Sequence, residues 1–82
     1  MDCLAYALSE FNLDSSTTIW YDGDHILCYR NKQFYDLKGP QTPSLNHVPI
    51  EEYGLEHVLA SFQPAESSQK ILRRYFNTNL WT

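Results

Sequence analysis

The sequence is poor in several residue types, and each shortage removes a class of protein. Two cysteines in 82 residues are too few for a disulfide scaffold, so we expect Cys3 and Cys28 to be free thiols. Six basic residues against ten acidic ones give a net charge of −4, which argues against nucleic acid as a partner because phosphate contacts need clustered lysine and arginine. No apolar run approaches the roughly 20 residues of a membrane helix. We therefore expect a cytoplasmic protein that makes no membrane contact.

The histidines and cysteines are also too dispersed to predict a metal site. His25, Cys28, His47 and His57 have no compact ligand spacing, whereas a zinc site needs three or four ligands that converge. No other motif in the chain indicates a bound cofactor. We predict neither a metal nor a cofactor.

What the sequence does contain is the composition of one folded domain. Apolar residues make up 43% of the chain and aromatic residues 15%. Each aromatic side chain can bury a large area, which helps a small core. Because a chain of this length has room for one hydrophobic core, we predict a single domain over residues 1–82.

The order of the local patterns predicts an α+β fold. Apolar residues at helical spacing predict an N-terminal helix over residues 2–12, with Asp2 as its N-cap. Three runs of β-branched and aromatic residues follow, separated by the turn-forming pairs Asp22-Gly23 and Asn31-Lys32. They predict a three-stranded antiparallel meander with strands at 17–21, 25–30 and 33–37.

The second half of the chain is predicted to be helical. Pro40 and Pro43 are expected to end the sheet, since proline cannot donate to a strand ladder. Apolar periodicity then predicts two C-terminal helices that pack onto the sheet, one beginning at Pro49 and one at Pro64.

Two-residue turns would also determine which side chains share a face of the sheet. Trp20 would lie opposite His25, and Leu27 opposite Asp36. His25 and Asp36 would then be diagonal neighbours on one face, within reach of a hydrogen bond. The same face carries Trp20, Tyr29 and Phe34. The opposite face carries Ile19, Tyr21, Ile26, Cys28, Tyr35 and Leu37.

Cys3, His25 and Asp36 follow one another in the chain order of a Cys-His-Asp hydrolase. The positive end of a helix favours a thiolate, an adjacent imidazole can accept the thiol proton, and a carboxylate behind the imidazole fixes its tautomer. If the first helix covers this face of the sheet with Cys3 over the His25 end, the scaffold is papain-like. If Cys3 instead lies on the far face, or more than about 10 Å from His25, the hydrolase hypothesis is lost and the three residues are structural.

Three short segments carry a resemblance to the core of papain-like and transglutaminase-like proteins. DCLAYAL at 2–8 resembles the nucleophile helix, HILCYR at 25–30 the histidine strand, and FYDLKG at 34–39 the aspartate strand. Small uncharacterised bacterial and phage proteins have a similar arrangement. The resemblance covers about the first half of the chain. It implies a papain-like scaffold with Cys3, His25 and Asp36 in the nucleophile, base and orienting positions.

Each of the three residues also has an ordinary structural interpretation. Cys3 can be a small packed apolar side chain. His25 can be a half-buried histidine that bonds to its neighbours. Asp36 lies within an apolar strand and needs a partner there, which either His25 or Arg30 could be.

These observations leave two functional hypotheses open. The favoured one is a small protein-binding or inhibitory protein that acts by contact with a protein partner, such as a phage or mobile-element inhibitor of a host system, because so short a chain leaves little material for a substrate cleft. Its candidate binding residues are Trp20, Tyr29, Phe34, Arg73, Arg74 and Trp81. A homodimer formed through an apolar patch or the sheet edge is a competing use of the same surface. The alternative is a minimal cysteine hydrolase or acyltransferase that uses Cys3, His25 and Asp36.

Overall fold

The computed structural model describes residues 2–79 and confirms the predicted α+β fold. An N-terminal helix precedes an antiparallel sheet, and two helices follow it. The helices are α1 (Cys3–Leu13), α2 (Leu55–Phe62) and α3 (Glu66–Thr78). The strands are β1 (Thr18–Tyr21), β2 (Ile26–Arg30), β3 (Gln33–Asp36), β4 (Gly39–Pro40) and β5 (Val48–Pro49), in the sheet order β4-β3-β2-β1-β5.

The predicted three-stranded meander is the centre of a wider sheet. β4 and β5 are two-residue strands at its two edges, and each contains a proline, Pro40 or Pro49. At a sheet edge the missing N–H of proline costs no ladder bond. The expectation that Pro40 ends the sheet was therefore wrong, since Pro40 belongs to an edge strand, and Pro49, which was expected to begin a helix, belongs to the other edge strand.

The turn between β2 and β3 has the predicted two-residue form. Asn31 and Lys32 have φ values of 53° and 63°, which are the positive angles that a type I′ turn requires. Tyr29 consequently pairs with Phe34, in the register that the sequence predicted.

The predicted two-residue turn between β1 and β2 is wrong. The connection spans residues 22–25, and Trp20 lies opposite Leu27 rather than opposite His25. The side chain of Asp22 explains the difference, because its Oδ1 accepts the backbone N–H of His25 at 2.7 Å. Such a bond builds a local Asx-type turn and keeps His25 out of the strand ladder.

Both C-terminal helices begin later in the chain than predicted. The helix expected from Pro49 is interrupted: Ile50–Glu52 form one 3₁₀ turn, and α2 begins only at Leu55. Gly54 separates the two with a φ of 89°, a left-handed conformation that glycine adopts without steric cost. α3 begins two residues after Pro64. No helix within residues 2–79 has the length and apolar character of a membrane span.

The core lies between the helices and one face of the sheet. That face is the one predicted to carry Ile19 and Cys28, and the other carries Trp20, Tyr29 and Phe34, so the predicted division of strand residues between the faces is confirmed. The buried core consists of Leu4, Ala7, Leu8, Phe11, Ile19, Tyr21, Ile26, Cys28, Ile50, Val58, Leu72, Tyr75 and Phe76.

Tyr75 joins α3 to the sheet. Its side chain is fully buried and packs edge-on against Phe11, with the ring centroids 4.8 Å apart. Its hydroxyl accepts the backbone N–H of Ile19 at 2.8 Å. Because β5 pairs only with Trp20 and Tyr21, the tyrosine hydroxyl takes the place of a neighbouring strand at Ile19.

Tyr75→Phe should therefore destabilise the fold. The variant keeps the buried ring but leaves the Ile19 N–H without its acceptor, which costs about 1–3 kcal/mol of unfolding free energy. Urea denaturation measures the loss. Tyr29→Phe is the control, because it removes a hydroxyl from a half-buried tyrosine on the other sheet face. Equal stabilities of the two variants would contradict the role assigned to Tyr75.

Candidate functional site

Cys3, His25 and Asp36 line one cavity of about 140 Å³. The cavity lies where α1 begins, where the 22–25 turn leads into β2, and where β3 ends. Its other lining residues are Asp2, Tyr6, Leu37 and Lys38. The structure thus places all three predicted residues on the lining of one cavity. Among the described residues, a hydrogen bond joins His25 to Asp36, and none joins Cys3 to His25.

The cavity is at the end of the sheet and not on the predicted face. α1 packs on the opposite face, that of Cys28 and Tyr35, which is the arrangement that the sequence analysis named as counting against the hydrolase hypothesis. The three side chains can share a cavity because His25 and Asp36 both lie at or next to the ends of their strands. His25 lies in the turn before β2, and Asp36 is the last residue of β3.

The predicted hydrogen bond between His25 and Asp36 is confirmed. Nε2 of His25 lies 2.8 Å from Oδ2 of Asp36. The histidine side chain is 45% exposed and the aspartate side chain 12%, so the carboxylate is the less exposed partner of the pair. The two-residue turn at Asn31 and Lys32 makes the contact possible, because it sets the register of β3 against β2.

Asp36 is an ionised acceptor. Burial raises its pKa, but hydrogen bonds from His25, from the Lys38 backbone N–H at 2.8 Å and from the Gln41 side-chain amide at 3.1 Å outweigh this and leave the pKa below its usual value. An ionised carboxylate can only accept, so Nε2 of His25 carries the shared proton. Nδ1 is then the nitrogen with a free lone pair, as a general base needs.

Cys3 is the more accessible of the two cysteines. It is the first residue of α1, and the predicted N-cap Asp2 accepts the Ala5 N–H at 2.7 Å. The Cys3 side chain is partly buried and packs against the core, whereas Cys28 is 1% exposed. Burial raises the pKa of Cys28 to about 12, so this thiol is protonated and inert at neutral pH.

Asp22 is a site residue that the sequence interpretation missed. Its Oδ1 accepts the N–H groups of Asp24 and His25 at 2.9 and 2.7 Å, and its Oδ2 accepts the Ser44 hydroxyl at 3.0 Å. The bond from His25 is the main cause that lowers the pKa of Asp22 to about 2, against the effect of burial. The sequence did contain a sign of this turn, because an aspartate side chain often accepts the backbone N–H groups two and three residues after it and so forms an Asx turn.

The predicted aromatic binding residues form one cluster on the sheet face opposite the helices. The ring centroids of Trp20 and Phe34 are 5.4 Å apart, and those of Tyr29 and Phe34 are 4.5 Å apart. All three side chains are half-buried. Trp81, the fourth predicted aromatic contact, lies outside the described residues.

The arginines have different environments. Arg73 is exposed on α3. Arg74, next to it, lies with its guanidinium carbon 5.4 Å from the ring centroid of Phe11, so it helps to hold α3 against α1. Arg30, the other predicted partner for Asp36, instead contacts the carboxylate of Glu10 at 3.3 Å.

The chain matches no protein-family model, no curated protein and no solved structure. Within the described part of the chain, no group of three histidine, cysteine or acidic side chains converges to hold a metal ion.

The low pKa of Asp22 predicts how the turn responds to acid. A group whose pKa is lower in the folded state stabilises the fold above its unfolded pKa, here 3.8, and this stabilisation is lost as the pH falls towards about 2. Asp22→Asn should be less stable than the native chain at neutral pH, by roughly 1 kcal/mol after solvent screening. The difference should shrink as both proteins approach about pH 2.

Urea denaturation at a series of pH values measures this difference. The control is Asp24→Asn, which removes the same charge from an exposed side chain in the same turn. A stability difference for Asp22→Asn that stays constant from neutral pH to about pH 2 would contradict the assignment.

Proposed function

We propose that this protein is a minimal cysteine hydrolase or acyltransferase in which Cys3 is the nucleophile, His25 the general base and Asp36 the residue that orients the imidazole. The observation that carries the proposal is the shared cavity, whose lining includes Cys3 at the start of α1 and His25, whose Nε2 bonds to an ionised carboxylate. The sequence favoured a contact protein because the chain is short. The lining of one cavity by the three residues supports the alternative, although α1 lies on the sheet face opposite to that of Asp36.

The proposed reaction moves one acyl group in two steps. Nδ1 of His25 accepts the thiol proton, and Sγ of Cys3 attacks the carbonyl carbon of an ester, thioester or amide. The bond to the leaving group breaks, the leaving group takes the proton from His25, and a thioester remains on Cys3. Water or an amine then attacks the thioester, gives its proton to His25, and releases the acyl group as the thiol is restored.

The helix start supplies charge stabilisation for both steps. The first N–H groups of a helix have no partner within the helix, and Asp2 takes up that of Ala5. We propose the N–H groups of Cys3 and Leu4 as the donors for an oxyanion.

The cavity indicates which substrates fit. Its volume of about 140 Å³ is small, and Tyr6 and Leu37 give it apolar walls, so it suits a short apolar acyl group. A more open groove of about 430 Å³ shares Tyr6, Asp36 and Leu37 with it and extends along β3 to β4. We propose that the remainder of the substrate lies in this groove.

Contact with a protein partner is the second candidate function. The cluster of Trp20, Tyr29 and Phe34 favours it, because half-buried aromatic side chains on a sheet face are of the type that forms interface hot spots. This function does not need the thiol. Activity and binding can therefore be separated by variants of Cys3 and of Trp20.

Acyl transfer from p-nitrophenyl acetate tests the proposed reaction. We expect release of p-nitrophenolate and an acetyl group on Cys3, found by mass spectrometry of the N-terminal peptide. His25→Ala should slow acetylation about 100-fold or more, the usual contribution of a general base. Cys28→Ala is the matched control and should acetylate at the native rate. Acetylation no faster than that of an unstructured cysteine peptide would contradict the proposal.

A further inference from the structure

The backbone of His25 is held on both sides by side chains. Its N–H donates to Oδ1 of Asp22 at 2.7 Å, and its carbonyl oxygen lies 2.9 Å from Nε2 of His47. His47 comes from the loop between β4 and β5, 22 positions further along the chain. Because His25 precedes β2, the strand ladder does not hold it, and these two bonds take over that task.

The tautomer of His47 follows from its other contacts. Its Nδ1 accepts the backbone N–H of Ser44 at 2.9 Å, so this nitrogen carries no proton. Nε2 therefore carries the proton and donates it to the carbonyl oxygen of His25. The Ser44 hydroxyl donates to Asp22 at 3.0 Å, which closes a ring of hydrogen bonds between the two loops. The His47 side chain is only 5% exposed, so water competes little for these bonds.

We propose that His47 is a positioning residue for His25, an inference that rests on the proposed function of the triad. The bond from Nε2 of His47 fixes the His25 carbonyl oxygen, and with it the place from which the imidazole reaches Asp36 on one side and the cavity of Cys3 on the other. Since the His25 ring is 45% exposed, packing alone does not fix it.

Two substitutions separate this role from simple support of the loop. In His47→Gln the side-chain amide N–H can reach the position of Nε2 and keep the bond to His25, but the acceptor for Ser44 is lost. In His47→Asn the amide oxygen replaces Nδ1 and keeps the bond from Ser44, but no donor reaches His25. Each variant thus loses one bond of the pair that His47 makes.

The expected result is a difference between the two variants. We expect the rate at which iodoacetamide alkylates Cys3 at neutral pH to fall about fivefold to tenfold in His47→Asn. One hydrogen bond contributes a free energy of about this size. His47→Gln should remain within about twofold of the native rate. The ¹⁵N resonances of the His25 ring should change in the same order. Equal changes of the His25 ring resonances in both variants, or no change in either, would overturn the proposal.

Two further measurements keep the outcomes distinct. The ¹⁵N shifts of His47 in the native protein require no variant, and finding the proton on Nδ1 would contradict the assigned tautomer. If His25→Ala leaves the alkylation of Cys3 unchanged, the proposed function fails, but the His25 ring resonances of the two His47 variants still decide whether His47 positions this residue.

Discussion

The hydrogen bond between Nε2 of His25 and Oδ2 of Asp36 determines what the cavity can do. It is 2.8 Å long and ends on a carboxylate that a backbone N–H and a side-chain amide also hold. The carboxylate therefore stays ionised and accepts the hydrogen bond from the Nε2–H group, which leaves Nδ1 as the basic nitrogen. Without this bond the half-exposed ring could rotate, and neither its tautomer nor its direction would be defined. The register of β2 and β3 exists independently of the bond and brings its two partners together.

The site is built where three elements end, and this explains why side chains hold so much of it. A helix start, a turn and a strand end all leave backbone groups without partners. Asp2 accepts an N–H of the first turn of α1, and Asp22 accepts the N–H of His25 in the turn before β2. His47, from a distant loop, donates to the carbonyl oxygen of His25. In a domain with a single core, such ends are the places where polar groups can converge without disturbing the packing.

The sequence predicted the parts of the structure that follow from periodicity. The N-terminal helix, the faces of the central strands and the contact between His25 and Asp36 are examples. It failed where two local preferences compete, because Asp22-Gly23 favours a type I′ turn while the Asp22 side chain favours an Asx turn. Two-residue strands have no periodicity to detect, so β4 and β5 were missed. The role of His47 depends on contacts between residues far apart in the chain, which a single sequence does not contain.

The claim at the centre of this account is that the imidazole of His25 activates the thiol of Cys3. The rate at which iodoacetamide alkylates Cys3 at neutral pH, measured in the native chain, in His25→Ala and in His57→Ala, tests it most directly. His57 is an exposed histidine on α2, so His57→Ala also removes one imidazole but leaves the lining of the cavity unchanged. The account predicts a rate at least about tenfold lower in His25→Ala and an unchanged rate in His57→Ala. The same slow rate in all three proteins would contradict it.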